Sequence, residues 1–374
     1  MKILAIALLA LCSAGPLRAQ NLFCFPVEIT SPVALVEAKA IQVDLALPPD
    51  ANPAGFEVRE GKGASLPWQY DGQTLTVLLR GASKAGQIRF LTACAPLKTD
   101  RPAPSPQAPF IEVRAGIEHQ GQSSIFVKTP AATYVYHTEG GGFASLIDRD
   151  GNDWISYRPG MRSAGEFRGI PNLGARFHPG YTGERGVRTT IEIRGPVRVR
   201  LRSESAARDW SATWDFFPSY ARMTLHGAAE PYWFLYEGTP GGALDVDGDF
   251  WAASDGARRP VAEAWHGMLP APEWVYFGDR NLKRVLFLVN HQSDEAADQF
   301  WQMESNMTVF GFGRQYRCCG RYMTATPAEF TIGLIEDADF AAVSTAIESA
   351  WRKPGVNVGK PYREESRKQN ASRR

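Results

Sequence analysis

The stretch GGGFASLIDRDGNDWI, residues 140–155, decides the fold expected for the larger part of this chain. Its polar centre, DRDGND at residues 148–153, is an Asp/Gly/Asn cluster of the kind that closes a β-hairpin. Alternating oxygen ligands around a glycine bend also resemble a calcium loop, but the distal bidentate glutamate of an EF-hand is missing. We therefore predict a plain hairpin turn at this position.

Short strand-like runs recur around this hairpin between residues 110 and 352. They lie at residues 124–129, 133–137, 189–193, 197–203, 222–226, 233–237, 274–277, 285–290 and 328–334. Only residues 293–302 and 339–351 look helical. Because we find no repeat of about 40–50 residues, a β-propeller is disfavoured. The pattern predicts an all-β chain whose second domain is one large antiparallel β-supersandwich.

Residues 20–97 predict a smaller, immunoglobulin-like β-sandwich. The run AKAIQVDLAL at 38–47 alternates apolar and polar residues, as a half-buried strand does. Asp71-Gly72 is a strong hairpin signal between two further strand candidates. Cys24 and Cys94 bracket this module, and we expect them to form a disulfide. A proline-rich segment at 98–109 is the expected linker to the β-supersandwich domain at 110–352, where we expect the catalytic site.

The N-terminus has the features of a secretory signal peptide covering residues 1–19. One lysine precedes a short apolar run, and a signal peptidase would cut after Ala19. The apolar run is shorter than the roughly 20 residues that span a bilayer. A retained anchor and a lipidated Cys12 are the alternatives. We expect a secreted or periplasmic protein with no membrane association after cleavage, and a disordered polar tail at 353–374.

Composition narrows the class of partner. The formal net charge is +1 and 22% of residues are charged, so no overall field attracts nucleic acid. Aromatic residues reach 11%, which suits glycan-binding surfaces. We expect the adjacent Cys318 and Cys319 to be two thiols on opposite faces of a strand. The alternatives are a vicinal disulfide and a pair of metal ligands, and the second lacks the usual CxxC or HxxxH spacing.

Residues 140–155 resemble an early hairpin of galactose-mutarotase-like β-supersandwich domains, which often carry the pattern G-x-x-x-S-L-x-D-x-x-G-x-x-W there. The resemblance implies a carbohydrate-active protein of the fold shared by sugar epimerases, polysaccharide lyases and several glycoside hydrolases. An immunoglobulin-like module before such a domain is similar to secreted polysaccharide lyases. The resemblance implies a fold and a substrate class rather than a reaction.

The loop at residues 167–181 concentrates groups that could eliminate a uronic acid unit: Arg168, Asn172, Arg176, His178 and Tyr181. A base must remove the proton beside the carboxylate, which suits His178 or Tyr181. A neutralising group must stabilise the enolate-like intermediate, which suits Asn172 or Arg176. Arg168 would bind substrate. The alternative is that these residues merely brace the loop.

Two further clusters are candidates. Strand alternation places Tyr220 and Arg222 on one face with His226, where they would suit a carboxylated sugar, or form an ordinary solvated face. Glu237 follows an aromatic strand, and with His266 or His291 it would support a hydrolase or epimerase reaction. No cofactor is certain, although DVDGD at 245–249 is a second possible calcium loop.

These observations favour a secreted polysaccharide lyase that cleaves an acidic, uronic-acid-containing polysaccharide or oligosaccharide by β-elimination. The first alternative is a glycoside hydrolase or sugar epimerase that uses Glu237 and a histidine. The second is a glycan-binding protein without catalytic activity.

Overall fold

A computed structural model describes residues 21–36, 38–97, 110–156, 169–174, 187–303, 305–315 and 320–365. The predicted signal peptide and linker lie outside these residues. So do Arg168, Arg176, His178, Tyr181, Cys318 and Cys319. Within the described ranges, no helix is long and apolar enough to cross a membrane.

The N-terminal module is a sandwich of two antiparallel sheets. Its strands are β1 (Asn21–Thr30), β2 (Lys39–Asp44), β3 (Glu57–Glu60), β4 (Trp68–Tyr70), β5 (Thr74–Leu79) and β6 (Ile88–Pro96). One sheet contains the order β1-β6-β3 and the other is β2-β5-β4. Alternate residues such as Val27 from β1 and Val77 from β5 meet in a common core. Asp71 closes the predicted β4–β5 hairpin by accepting the backbone N–H groups of Gln73 and Thr74.

The predicted disulfide between Cys24 and Cys94 is confirmed. The two cysteines lie directly opposite each other in the antiparallel β1–β6 pair, with 4.1 Å between their Cα atoms. The bridge therefore fastens the first strand of the module to its last strand within one sheet.

The predicted disorder of residues 353–374 is wrong for two short segments of this tail. These segments form strands β26 (Gly355–Val358) and β27 (Tyr362–Glu365), and both pair with the free edge of β1. An open strand edge presents unpaired backbone N–H and C=O groups, and a polar tail can satisfy them without burying many apolar side chains. Composition alone did not reveal this, because the pairing is tertiary. Residues 366–374 lie outside the described ranges.

The larger domain contains nearly all the remaining elements. They are β7 (Glu112–His119), β8 (Gln122–Lys128), β9 (Ala132–His137), β10 (Gly142–Asp148), β11 (Val187–Arg194), β12 (Val199–Ser205), β13 (Ser211–Phe216), β14 (Ala221–Gly227), β15 (Phe234–Gly238), β16 (Asp249–Ala253), β17 (Arg258–Pro260), β18 (Trp265–Met268), β19 (Trp274–Asp279), β20 (Val285–Asn290), β21 (Ala297–Met303), β22 (Met307–Phe312), β23 (Arg314–Gln315), β24 (Gly320–Arg321), β25 (Ala328–Ile335) and the helix α1 (Phe340–Trp351). Short 3-10 turns occur at Pro53–Gly55 and Pro240–Gly242.

These strands form a layered antiparallel sandwich, as predicted. A nine-stranded sheet has the order β11-β12-β13-β14-β25-β20-β19-β16-β17, and two four-stranded sheets have the orders β10-β9-β8-β7 and β15-β22-β21-β18. Phe143 of the first four-stranded sheet packs against Trp214 of the nine-stranded sheet, with ring centroids 4.5 Å apart. Phe234 of the second stacks on Phe330 at 4.3 Å. The core therefore lies between the nine-stranded layer and the two smaller sheets.

The segment at 148–153 is a hairpin turn and not a cation loop. Asp148 Oδ1 accepts the backbone N–H groups of Asp150 and Asn152, both at 2.9 Å. Its Oδ2 accepts the indole N–H of Trp154 at 3.1 Å and lies 2.5 Å from Arg284 Nη1. Because both carboxylate oxygens are engaged by donors, the turn has a structural role.

One predicted helix is correct and the other is wrong. Helix α1 matches the expected 339–351, with Asp339 accepting the N–H groups of Ala341 and Ala342 as its N-cap. Residues 293–302, in contrast, contribute most of strand β21. Hydrogen bonding to β22 on one side and β18 on the other overrides the local preference.

The C-terminal end of α1 joins the two domains. The buried Lys39 donates its ammonium to the carbonyl oxygens of Ser349 at 2.6 Å and Ala350 at 2.7 Å. Arg222 donates to the carbonyl oxygen of Trp351 at 3.0 Å. The last carbonyls of a helix have no partner within the helix, so cations from both domains satisfy them.

Replacing Lys39 by Met is expected to lower the free energy of unfolding by about 1–2 kcal/mol, because the Ser349 carbonyl loses this buried donor and the Ala350 carbonyl keeps only Arg222, at 3.3 Å. Burial, and secondarily the charge of Arg222, lowers the pKa of Lys39, so loss of the charge offsets part of this cost. Urea unfolding would measure the change. Lys84→Met on an exposed loop is the matched control, and equal stabilities of the two variants would contradict the role of Lys39.

Candidate functional site

The structure brings together Asn172 and Glu237, which belong to different clusters in the sequence. Residues 169–174 run antiparallel to β15, and Gly169 and Glu237 exchange backbone hydrogen bonds of 3.0 and 3.1 Å. The Asn172 amide donates to Glu237 Oε2 at 2.8 Å, and both side chains are buried. Asn172 also has a left-handed backbone, with φ +37°. Such conformations in non-glycine residues cluster at functional sites, so this pair is the starting point for the candidate site.

Glu237 lies on the outer face of the sheet β15-β22-β21-β18. Phe234 and Tyr236 of β15 enter the main core, whereas Leu235 and Trp233, the residue before β15, pack in a separate cluster. Strand alternation places Glu237 on the side of Trp233 and Leu235. The side chain therefore points away from the main core.

Two arginines from the β23–β24 hairpin lie on the same face. The Arg314 guanidinium lies 3.3 Å from the ring centroid of Trp301, and Arg321 lies 4.6 Å from that of Trp233. Burial lowers the pKa of Arg314 to about 10, and the nearby Glu237 charge opposes this decrease. Arg314 is thus a cation at neutral pH. We call Asn172, Glu237, Arg314, Arg321 and Trp301 the Glu237 cluster.

His266 lies farther along the same face. One row of paired residues crosses the four strands of this sheet, from His266 through Gln299 and Gly311 to Leu235. Three strand spacings place His266 about 14 Å from the row of Leu235. A cavity of about 450 Å³ lies beside His266, lined by Ala264, Trp265, His266, Gln299, Phe300 and Trp301. A sugar unit bound there would touch both Trp301 and His266.

Of the two alternative partners of Glu237, His291 follows β20 of the nine-stranded sheet, whereas Glu237 belongs to β15 of another sheet. His291 Nε2 lies 2.8 Å from Thr331 Oγ1, and Nδ1 lies 3.2 Å from Glu329. Its ring packs edge-on against Trp351 at the end of α1. Burial lowers the pKa of His291, although the hydrogen bond with Glu329 opposes the shift. The histidine has a packing role beside the helix.

Tyr220 and Arg222, the second candidate cluster, lie on another sheet than the Glu237 cluster. Ala221 and Met223 face the main core as predicted, but Arg222 points to the other side of the nine-stranded sheet, against α1. Tyr220 is buried there beneath Lys39, whose Nζ lies 4.8 Å from its ring centroid. The N-terminal module and α1 cover this side of the sheet. The residues expected to be catalytic therefore contribute to the domain interface.

The Asp-rich loop at 245–249 has no convergent set of carboxylates. Asp249 Oδ2 accepts the N–H of Asp245 at 2.9 Å, and Asp245 Oδ1 accepts that of Asp247 at 3.2 Å. Among the described residues, only Cys24, Cys94 and Glu364 bring three ligand atoms within 4.8 Å, and those cysteines form the disulfide. The loop therefore gives no support for a calcium ion.

Sequence reasoning missed Arg314, Arg321 and Trp301 as site residues. Arg314 and Arg321 are seven positions apart and bracket the Cys318-Cys319 pair, a spacing that suits a short hairpin carrying two arginines. The proximity of Arg314 to Glu237 depends on β22 and β15 being neighbours, and local patterns do not reveal the order of strands in a sheet.

No protein-family model matches the chain, and no curated protein matches it. Among solved structures it is similar to that of HI1317, with 14% sequence identity and a TM-score of 0.42 over 64% of this chain and 98% of that one. The chemistry of the site therefore has to be inferred from its own residues.

Proposed function

We propose that this chain is an exported polysaccharide lyase that cleaves an acidic, uronate-containing glycan by β-elimination at the Glu237 cluster. The observation that carries the proposal is the contact between Asn172 and Glu237 on a sheet face that also holds Arg314 and Trp301. Export, to the periplasm or the medium, belongs to the same proposal and rests on the N-terminal signal pattern and the disulfide.

Each part of the cluster matches a requirement of the reaction. The arginines supply positive charge for the substrate carboxylate, and Trp301 supplies an aromatic face for the sugar ring. The Asn172 amide, oriented by Glu237, is a fixed donor for the charge that develops on that carboxylate. His178 and Tyr181 lie only a few residues beyond 169–174 in sequence and remain the proposed bases.

In the proposed step, the base takes the proton from the carbon next to the carboxylate. The electron pair of that C–H bond forms a carbon–carbon double bond, and the bond to the glycosidic oxygen at the β position breaks. Tyr181 or His178, acting as the acid, protonates the leaving oxygen, which gives one new reducing end and one unsaturated uronate per cleavage.

The test is to incubate the purified protein with a panel of uronate polysaccharides and to record the ultraviolet absorbance of the unsaturated uronate. A rise in absorbance that parallels the release of reducing ends supports the proposal. A flat absorbance across the panel contradicts it. Retention on a glycan affinity gel without product would indicate a binding protein.

A hydrolase or epimerase is the second candidate, and the observation that favours it is the placement of Glu237 and His266 on one face of the same sheet. A carboxylate and an imidazole can act as a base and an acid. The strands of Glu237 and His266 are about 14 Å apart, which is wider than the separation of such a pair across one sugar, so this candidate ranks second. Reducing-end release without unsaturated product, or interconversion of sugar anomers, would support this candidate.

A further inference from the structure

The cavity beside His266 shares only Trp301 with the Glu237 cluster and lies at the start of β18, the last strand in the order of its sheet. By strand alternation, His266, Gln299 and Trp301 project from the outer face of the sheet, which is also the face of Glu237. The cavity volume of about 450 Å³ falls within the range of about 300–1,000 Å³ that is typical of small-molecule sites. One sugar ring therefore fits in this cavity.

Two tryptophans of the cavity wall are partly exposed and are held in place by neighbouring side chains. The Arg314 guanidinium lies 3.3 Å from the ring centroid of Trp301, so one face of this ring is occupied and the remainder is available to the cavity. Trp265 packs edge-on against the buried Trp251, with ring centroids 5.1 Å apart. Aromatic rings that are already fixed lose little side-chain freedom when a ligand binds. Their surfaces suit the apolar C–H face of a sugar ring.

The polar groups of the wall suit hydroxyl groups rather than a carboxylate. His266 is exposed, and its ring forms no hydrogen bond within the part of the chain that the structure describes. Gln299 adds an amide, a group that can both donate and accept hydrogen bonds. None of the residues that line the cavity is an aspartate, glutamate, lysine or arginine. A sugar unit would therefore be recognised here by its ring and its hydroxyl groups.

The outer face of this sheet opens to solvent on the side of the cavity. Glu237 pairs with Val309, and Val309 pairs with Trp301, so two strand spacings of about 10 Å in total separate Glu237 from Trp301. Side chains of this face become more exposed towards β18, from 6% for Glu237 to 66% for Met268. A glycan with one unit at the Glu237 cluster would therefore pass over the cavity before it reached the β18 edge.

We propose that the cavity beside His266 is a subsite for a further sugar unit of the same glycan chain, bound through its ring by the tryptophans and through its hydroxyl groups by His266 and Gln299. The inference rests on the proposed function for the identity of the ligand as a glycan, but it assigns no step of the reaction to the cavity. Contacts at the subsite add affinity for any chain long enough to span both positions. His266 is thus a residue that binds the glycan and does not transfer a proton.

Titration calorimetry with hexasaccharides prepared from polygalacturonate, alginate and hyaluronan tests the subsite, with each titration made in the cold before product accumulates. At least one of these probes should bind. His266→Ala and Trp301→Ala should each raise its Kd about tenfold, because each substitution removes a direct contact to the sugar unit. Met268→Ala is the matched control and should bind like the wild type, because Met268 lies on the same strand and face but outside the cavity wall.

The kinetics of His266→Ala separate a binding role from a catalytic one. On the polysaccharide from which the bound probe was prepared, KM should rise about tenfold and kcat should stay unchanged, as expected for a residue that binds the ground state and the transition state alike. Failure of all three probes to bind, an unchanged Kd in His266→Ala, or a lower kcat at unchanged KM would overturn the subsite. Circular dichroism of each variant would show that the fold is kept.

These outcomes are distinct from those of the lyase test. Binding that depends on His266, without any unsaturated product, would contradict the elimination and support the subsite. Formation of unsaturated product together with an unchanged Kd in His266→Ala would support the elimination and overturn the subsite.

Discussion

Replacing Asp148 by alanine is expected to lower the free energy of unfolding by about 2–3 kcal/mol, because the buried Arg284 loses its fully buried partner and keeps only the more exposed Glu336 and Asp150. In the ion pair the Asp148 side chain is fully buried and that of Arg284 is 5% exposed. The indole N–H of Trp154, which lies in the main core, also loses its acceptor. Removing the Asp148 carboxylate therefore removes contacts to the turn, to the main core and to Arg284, the residue before β20. Equilibrium unfolding in urea would measure it.

Asp150 on the same turn is the matched control. It lies 3.0 Å from Arg284, but its side chain is 66% exposed, so solvent screens the pair. Asp150→Ala should cost less than about 1 kcal/mol. Equal free energies of unfolding in the two variants would contradict the claim that the buried Asp148–Arg284 pair stabilises this turn.

The acid dependence of stability provides a second measurement on Asp148. Burial by itself raises the pKa of Asp148, but the hydrogen bonds from Trp154, Asn152 and Arg284 outweigh burial and lower it. A carboxyl whose pKa is lower in the folded state stabilises the protein above its unfolded value of about 3.9. This contribution disappears as the pH falls through the folded pKa. The stability difference between the wild type and Asp148→Ala should therefore shrink below about pH 4, and a constant difference would contradict this explanation.

Asn172→Ala is expected to reduce kcat on a uronate polysaccharide by about 10²-fold or more if the proposed elimination is correct, because a preorganised donor to the developing negative charge is lost. Glu237→Gln keeps an oxygen that can accept the Asn172 amide, so we expect a smaller loss of about tenfold. Initial rates of unsaturated-uronate formation would give both values. The KM should change less than kcat, since the donor acts mainly on the intermediate.

Which of the two substitutions causes the larger loss of activity distinguishes the candidate functions. A hydrolase or epimerase in which Glu237 is the base would lose most of its activity in Glu237→Gln and less in Asn172→Ala. Asn281→Ala, in an exposed turn, is the control and should retain full activity. Full activity in both site variants would exclude the Glu237 cluster as the active site.

Much of the strand content follows from local patterns. Alternation in β2 and β14, and the Asp71-Gly72 turn between β4 and β5, are readable because side chains of a strand alternate between two faces. The segment at 293–302 was misread because its pairing with β18 and β22 is specified elsewhere in the chain. The tail strands β26 and β27 were missed for the same reason.

For the candidate site, too, some features follow from local sequence and others only from the tertiary structure. Sequence alone singled out Asn172 and Glu237 as candidate site residues in polar or aromatic surroundings, and it correctly predicted the pairing of Cys24 with Cys94. It also placed Tyr220 and Arg222 on the non-core face of β14, which is correct. What it did not show is that this face is covered by α1 and the N-terminal module, whereas Glu237 lies on the outer face of another sheet.

The amino-acid sequence by itself therefore determined the all-β class, the hairpin at 148–153, the disulfide and the helix at the C-terminal end of the domain. Each of these depends on neighbouring residues or on one chemically specific pair. Tertiary structure alone decided which sheet faces are covered and which side chains from distant strands meet, including Asn172 with Glu237 and Tyr322 with Asp298. The physical reason is that strand order and layer packing are set by the burial of the whole core, which no local pattern encodes.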